Sequence, residues 1–203
     1  MNHMTPPAEE FWILDPAQIA CLASAPRQTI VDRLAADGPL SVDDLARVIG
    51  MKQTAVYHHI HKLEAVGLVH PSDRRLMPGA RKPQILYATP APRMRLARAL
   101  GIERLQRGTK RCAGAMLRQA ERDFAEGFDN GATHDGDDRN HGFFRLIARP
   151  DAAALAEINE HLHAIGEILW RSNSSSGAPI ALSWTLAPLS DESDPRTSKG
   201  KTS

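Results

Sequence analysis

The stretch from Gly38 to Val69 reads GPLSVDDLARVIGMKQTAVYHHIHKLEAVGLV, and its punctuation decides the fold. Gly38-Pro39 ends whatever helix precedes it. Ser41-Val42-Asp43-Asp44 is a capping box, in which the Ser41 hydroxyl accepts from a free backbone N–H and the Asp44 carboxylate reaches back. Leu45, Val48 and Ile49 follow at helical spacing. Gly50 then allows the left-handed backbone of a tight turn. Val56, Ile60 and Leu63 stand at i, i+4 and i+7, the apolar stripe of a second helix, and Gly67 stops it.

Upstream, Asp15-Pro16 is a helix start with Asp as N-cap and Pro at the first position, and the spacing predicts a short helix to about Leu22. Ser24-Ala25-Pro26 is a second start, followed by the stripe Ile30, Val31 and Leu34. Downstream, Leu68-Val69 opens a strand, residues 71–83 are rich in Pro, Gly and Arg, and Ile85 to Thr89 makes a second strand. Two strands around a basic loop predict a β-hairpin. The order helix, helix, turn, helix, hairpin is that of a winged helix-turn-helix.

Beyond Pro90 and Pro92 a long helical region is expected from about Arg93 to Phe128, with Gly101, Gly108 and Gly114 as interruptions. Its apolar surface is Leu96, Leu100, Leu105, Cys112, Met116, Ala120 and Phe124, which suits either pairing with a twin or packing on its own chain. Residues 129–142, acidic and glycine-rich, read as a mobile loop. Strands are expected at 143–148 and 180–187, with a helix from Pro150-Asp151 carrying Leu155, Ile158, Leu162, Ile165 and Leu169. The predicted fold class is mainly α with small β (α+β). It divides into a disordered N-terminus at 1–10, a winged helix-turn-helix at 11–92, a helical and β-α-β dimerisation or effector region at 93–188, and a disordered tail at 189–203.

The 203 residues carry a net charge of +1, but the charge is uneven. It is −3 over residues 1–26, +1 over 27–80, +9 over 81–122 and −6 over 123–203. A basic middle joined to an acidic end suits a nucleic-acid-binding region attached to something else, although a basic stretch also serves as a solvated helix face. No run of eighteen apolar residues is present, so no membrane span is expected. The start MNHMTPPAEEFW lacks a basic, then apolar, leader. Cys21 and Cys112 fit no spaced framework, and cytoplasmic location is the expectation.

At about 100° per residue, Val56, Ile60 and Leu63 fall on one side of their helix. The other side carries Thr54, His58 and His61, flanked by Ala55, Tyr57 and Lys62, with Gln53 at the start. Gln pairs with adenine through two hydrogen bonds, Thr and Ala touch a thymine methyl, and Tyr, His and Lys reach phosphates. The rival reading is a plain solvent face. His59 lies nearer the apolar side and reads as packed. The loop residues Arg74, Arg75, Arg81 and Lys82 suit a wing that meets phosphate or minor groove.

From Leu22 to Thr89, about a third of the chain, the sequence resembles the ArsR-type winged-helix regulators of bacteria. The resemblance rests on Ala25-Pro26-Arg27 with Ile30 and Leu34, on GPLSVDDLARVIG, on QTAVYHHIHKLEAVGLV and on ILYAT. It implies a homodimeric repressor on a palindromic operator, with Gln53, Thr54, Ala55, Tyr57, His58, His61 and Lys62 on the DNA-facing helix and Arg74, Arg75, Arg81 and Lys82 on the wing. Lys52 departs from the Ser or Thr common at the helix start, and a lysine there opposes the helix dipole unless a phosphate lies against it.

Arsenic-sensing relatives carry Cys-Val-Cys where this chain reads Ser41-Val42-Asp43, so no thiolate metal site is expected. His161 and His163 face opposite ways on a helix, and the 129–138 loop lacks calcium-loop spacing. No cofactor is expected. Trp170 and Trp184 either line a pocket for an unknown small-molecule effector or fill a core. The expected partner is double-stranded DNA, with a protein-interaction module as the alternative. No nucleophile elbow, phosphate loop or HExxH motif points to an enzyme.

Overall fold

Asp15 caps helix α1 (Pro16–Cys21), its carboxylate accepting from the Ala17 N–H at 2.7 Å. Helix α2 (Ala25–Asp37) begins with Pro at its first turn and ends at Gly38, whose φ of 84° no side-chain-bearing residue adopts easily. Strand β2 (Leu40–Ser41) leads straight into α3 (Val42–Val48), and the predicted capping box forms in full. Helix α4 (Gln53–Glu64) follows the turn at Gly50. The computed structural model describes residues 9–79, 81–96, 103–173 and 177–189.

The hairpin consists of β3 (His70–Arg75) and β4 (Gln84–Ala88), antiparallel from His70↔Ala88 to Arg75↔Gln84 with a bulge at Ser72. β2 pairs on the far side of β4, so the sheet order is β2-β4-β3. The strand therefore runs deeper into the basic segment than the composition of 71–83 suggested. Ladder hydrogen bonds and the Ser72 hydroxyl on the Leu86 carbonyl hold it there.

One expectation fails directly after Pro92 and another near the N-terminus. Arg93–Leu96 is not the start of a helix but strand β5, parallel to β1 (Glu10–Ile13) in the register Glu10↔Arg93 to Ile13↔Leu96. Glu10 lies in that strand, so the expected disordered N-terminus does not reach it. The alternation of basic and apolar residues in RMRL suits a strand with one face packed, and Glu10 accepts from both Arg93 and Arg95 across the pair. The expectations for residues 1–8, 97–102 and 190–203 lie outside the described residues.

Helix α5 (Glu103–Asp129) is continuous through Gly108 and Gly114. A Cβ at Gly108 would meet the Ile19 side chain at 2.9 Å, so the glycine lets α5 press onto α1. Leu105 and Cys112 join the apolar core with Ile19, Ile30, Leu45 and Ile60. The Cys112 thiol donates to the Ile19 carbonyl at 2.9 Å, and Gln28 donates to the Cys112 carbonyl at 3.0 Å. The stripe offered for pairing with a twin is thus spent inside the chain at these positions. Residues 129–142 fold back on α5. The Asn140 side chain bridges the His134 N–H and the Ala132 carbonyl, and the His141 ring stacks on Phe124 with centroids 4.0 Å apart.

Helix α6 (Ala152–Arg171) is capped by Asp151 as expected. The flanking strands are absent: 143–148 and 180–187 hold no regular structure. A strand exists only against a neighbour that takes its N–H and C=O groups, and among the described residues neither segment has one. The chain therefore keeps the α+β mixture and the winged helix-turn-helix, without the β-α-β unit. Among the described residues, no helix is long and apolar enough to cross a membrane.

Candidate nucleic-acid interface

Helix α4 is held by its apolar stripe. Val56, Ile60 and Leu63 are each 1 % exposed or less, packed among α1, α2 and α3. Burying three such side chains fixes the rotation of the helix, and the rotation decides what faces outward. Gln53, Thr54, Tyr57, His58, His61 and Lys62 are exposed, and Ala55 is partly so. This is the set singled out from the spacing. Lys52 occupies the N-cap with no side-chain cap bond, and the first turn of α4 carries no acidic residue.

The polar face has internal order. Tyr57 and His61 meet edge to face at 4.9 Å, and His61 Nδ1 lies 3.7 Å from Glu64. His59 sits half-buried on the other side with Nδ1 shut from solvent and unpartnered. Burial, then the positive charges of Arg27, His58 and Lys62, push its pKa down. It is a neutral packed side chain, as its position on the helix wheel implied.

The wing presents Arg74, Arg81 and Lys82 in the open. Arg75 is different. Its guanidinium pairs with Asp44 and bonds the Gln84 amide oxygen at 3.3 Å. Gln84 in turn donates to Asp43 at 2.5 Å. The carboxylates of the α3 cap and the base of the wing thus form one polar clamp. Burial alone would raise the Asp44 pKa, but the hydrogen bonds from Ser41 and the Arg75 charge outweigh it, and the net shift is downward. The clamp fixes the wing relative to the helix pair. Spacing did not expose Asp43, Asp44 and Gln84 as positioning residues; the only signal was a second acid beside the cap and an arginine in the hairpin.

The two cysteines form no disulfide. Burial pushes the Cys112 thiol up to about 11, so it stays protonated. Trp170 lies under the Arg93 guanidinium at 3.7 Å, and Trp184 is exposed, so the two tryptophans fill no common core. Arg93 also pairs with Glu167 at 2.8 Å, fastening α6 to β5.

Residues 22–71 match the profile of a helix-turn-helix domain family, which covers α2, α3, α4 and the first residues of β3. No curated protein matches the chain. Two solved structures are similar over most of their length. One is the transcriptional regulator Tm0710 from Thermotoga maritima, at 13 % identity over 77 % of each chain with a TM-score of 0.28. The other is RV1404 from Mycobacterium tuberculosis, at 14 % identity over 74 % of this chain and 82 % of that one with a TM-score of 0.26. These superpositions are too loose to carry an argument. By local fold and by sequence profile, residues 22–71 are a helix-turn-helix domain.

Proposed function

We propose that this chain is a non-enzymatic, sequence-specific DNA-binding transcription regulator of ArsR type, acting in the cytoplasm as a homodimeric repressor on a palindromic operator. The observation that carries the reading is the outward face of α4. Its apolar side is locked in the core, and the exposed side combines Gln53 and Thr54 at the N-terminal end with His58, His61 and Lys62 behind them. A helix in the major groove reads bases with its N-terminal residues and touches backbone with the rest. In this reading Gln53, Thr54 and Ala55 meet base edges, while Lys52, Tyr57, His58, His61 and Lys62 meet phosphates. Arg74, Arg81 and Lys82 on the wing contact the flanking backbone, and Arg75 sets the wing through Asp44.

The test is selection of binding sites from random duplex DNA by the purified full chain, at stated salt. The expected result is enrichment of one motif with two-fold symmetry. Recovery of no motif above random DNA overturns the reading.

A further inference from the structure

The C-terminal part displays apolar surface that the described residues of its own chain leave uncovered. Phe143 and Phe144 are 86 % and 91 % exposed, and Leu146 is 80 % exposed. Helix α6 buries none of its side chains. Ile180, Leu182, Trp184 and Leu186 alternate with small residues and are all exposed. Among the described residues, no backbone hydrogen bond reaches 143–148 or 180–189. Among the described residues these two segments therefore leave their backbone groups unmatched and most of their apolar side chains open, with Phe143 touching Phe124 edge to face at 5.5 Å. Together with α6 they present on the order of 1,500 Å² of apolar side-chain surface, against about 800 Å² per partner in a standard interface. Single chains rarely display a patch beyond a few hundred Å².

We propose that residues 143–148, α6 and 180–189 form the interface between two copies of this chain, with the two segments becoming strands in a sheet completed across the two-fold axis. This deepens the homodimer reading above by naming its surface. The charge pattern favours a second copy over a foreign partner. A two-fold interface sets a patch against itself, so it must not repel its own image. Residues 177–189 carry no charged side chain, and 143–148 carry only Arg145. The two segments are compatible with their own image and offer an oppositely charged partner nothing to recognise; the charges of α6 (Glu157, Glu160, Glu167 and Arg171) lie outside them. The ion pair of Glu167 with Arg93 holds one edge of α6 against β5, so the remainder of the helix stays available.

The experiment is sedimentation equilibrium of the full chain without DNA, beside a Phe144→Ser, Trp184→Ser double variant and a Leu182→Arg variant. The three side chains stand in solvent in one chain, so the variants keep the core, which the helical circular-dichroism signal checks. The wild type is expected at twice the mass of one chain and both variants at the single mass. Hydrogen exchange supplies a second readout: amides of 143–148 and 180–187 are expected to be protected in the wild type and unprotected in the variants. A wild type of single mass, or variants that remain double, overturns the proposal. So does full exchange of those amides in a double-mass wild type, whether or not the variants fold. Because no DNA is present, failure here leaves DNA binding untouched, and a dimer that selects no DNA motif would sink only the regulatory reading.

Discussion

Replacing Asp44 with Ala tests the clamp between the helix pair and the wing. The carboxylate accepts from the Ser41 N–H at 3.2 Å and from the Ser41 hydroxyl at 2.7 Å, and it pairs with Arg75. Losing an N-terminal cap interaction costs about 1 kcal/mol. Leaving the part-buried Ser41 hydroxyl without its acceptor adds about 1 kcal/mol. The Arg75 side chain is 41 % exposed, so solvent screens the ion pair and its loss adds about 0.5 kcal/mol. The expected destabilisation is therefore about 2.5 kcal/mol, and a drop in Tm of roughly 7 °C follows for a chain of this size.

Arg75→Ala alone should cost about 1 kcal/mol, and the double variant should be less destabilised than the sum of the two by about 0.5 kcal/mol. The pH dependence has a definite sign. The folded-state pKa of Asp44 lies below its ordinary value, so its contribution is complete above about pH 4 and disappears as pH falls through the folded value. Urea unfolding followed by circular dichroism at pH 7 and in acid measures both effects. Strict additivity of the two substitutions, or a difference from wild type that is unchanged in acid, would refute the clamp.

Three further outcomes are expected. Arg81→Ala with Lys82→Ala should weaken binding to every DNA sequence alike and reduce the salt slope by about two units, one for each phosphate contact; titrations at several salt concentrations decide it, and an unchanged slope removes the wing contact. Gln53→Ala should relax base preference at one operator position by about 1–3 kcal/mol with little change in non-specific affinity, which repeated site selection would detect as a flattened column, while an identical motif would remove Gln53 from base reading. Gly108→Val should destabilise the chain by about 2 kcal/mol, because the added methyl groups enter the space of a fully buried Ile19; a thermal midpoint equal to or above that of the wild type would show that α5 and α1 do not depend on the close approach.

Local chemistry was legible in the sequence. The three glycines at 38, 50 and 67 mark the ends of α2, α3 and the α4 turn, and all three take positive φ. Val56, Ile60 and Leu63 alone determine which side of α4 faces out. What was not legible depends on distant partners. Arg93–Leu96 passes for a helix start because β1, the strand that holds it, lies more than eighty residues away. Gly108 reads as a helix breaker because nothing nearby announces Ile19. Arg75 looks like any wing arginine until Asp44 is placed against its side chain. The strand read at 180–187 has the right alternation and 143–148 is a short apolar run, but such patterns state only that apolar side chains want cover. They do not say which chain supplies it.

The packing of α5 on α1 bears on how the molecule can be divided and how it can move. Pro90 and Pro92 look like a natural seam, yet Leu105 and Cys112 complete the core on the far side of it. A fragment ending at Pro92 would lose that cover and open Ile19 to water. The helix-turn-helix is therefore not a detachable reading head that can be moved between proteins at the proline pair. Because Gly108 brings the two helices into direct contact, α1 and α5 form one packed unit, with one end in the helix-turn-helix core and the other near the acidic turn at 129–142.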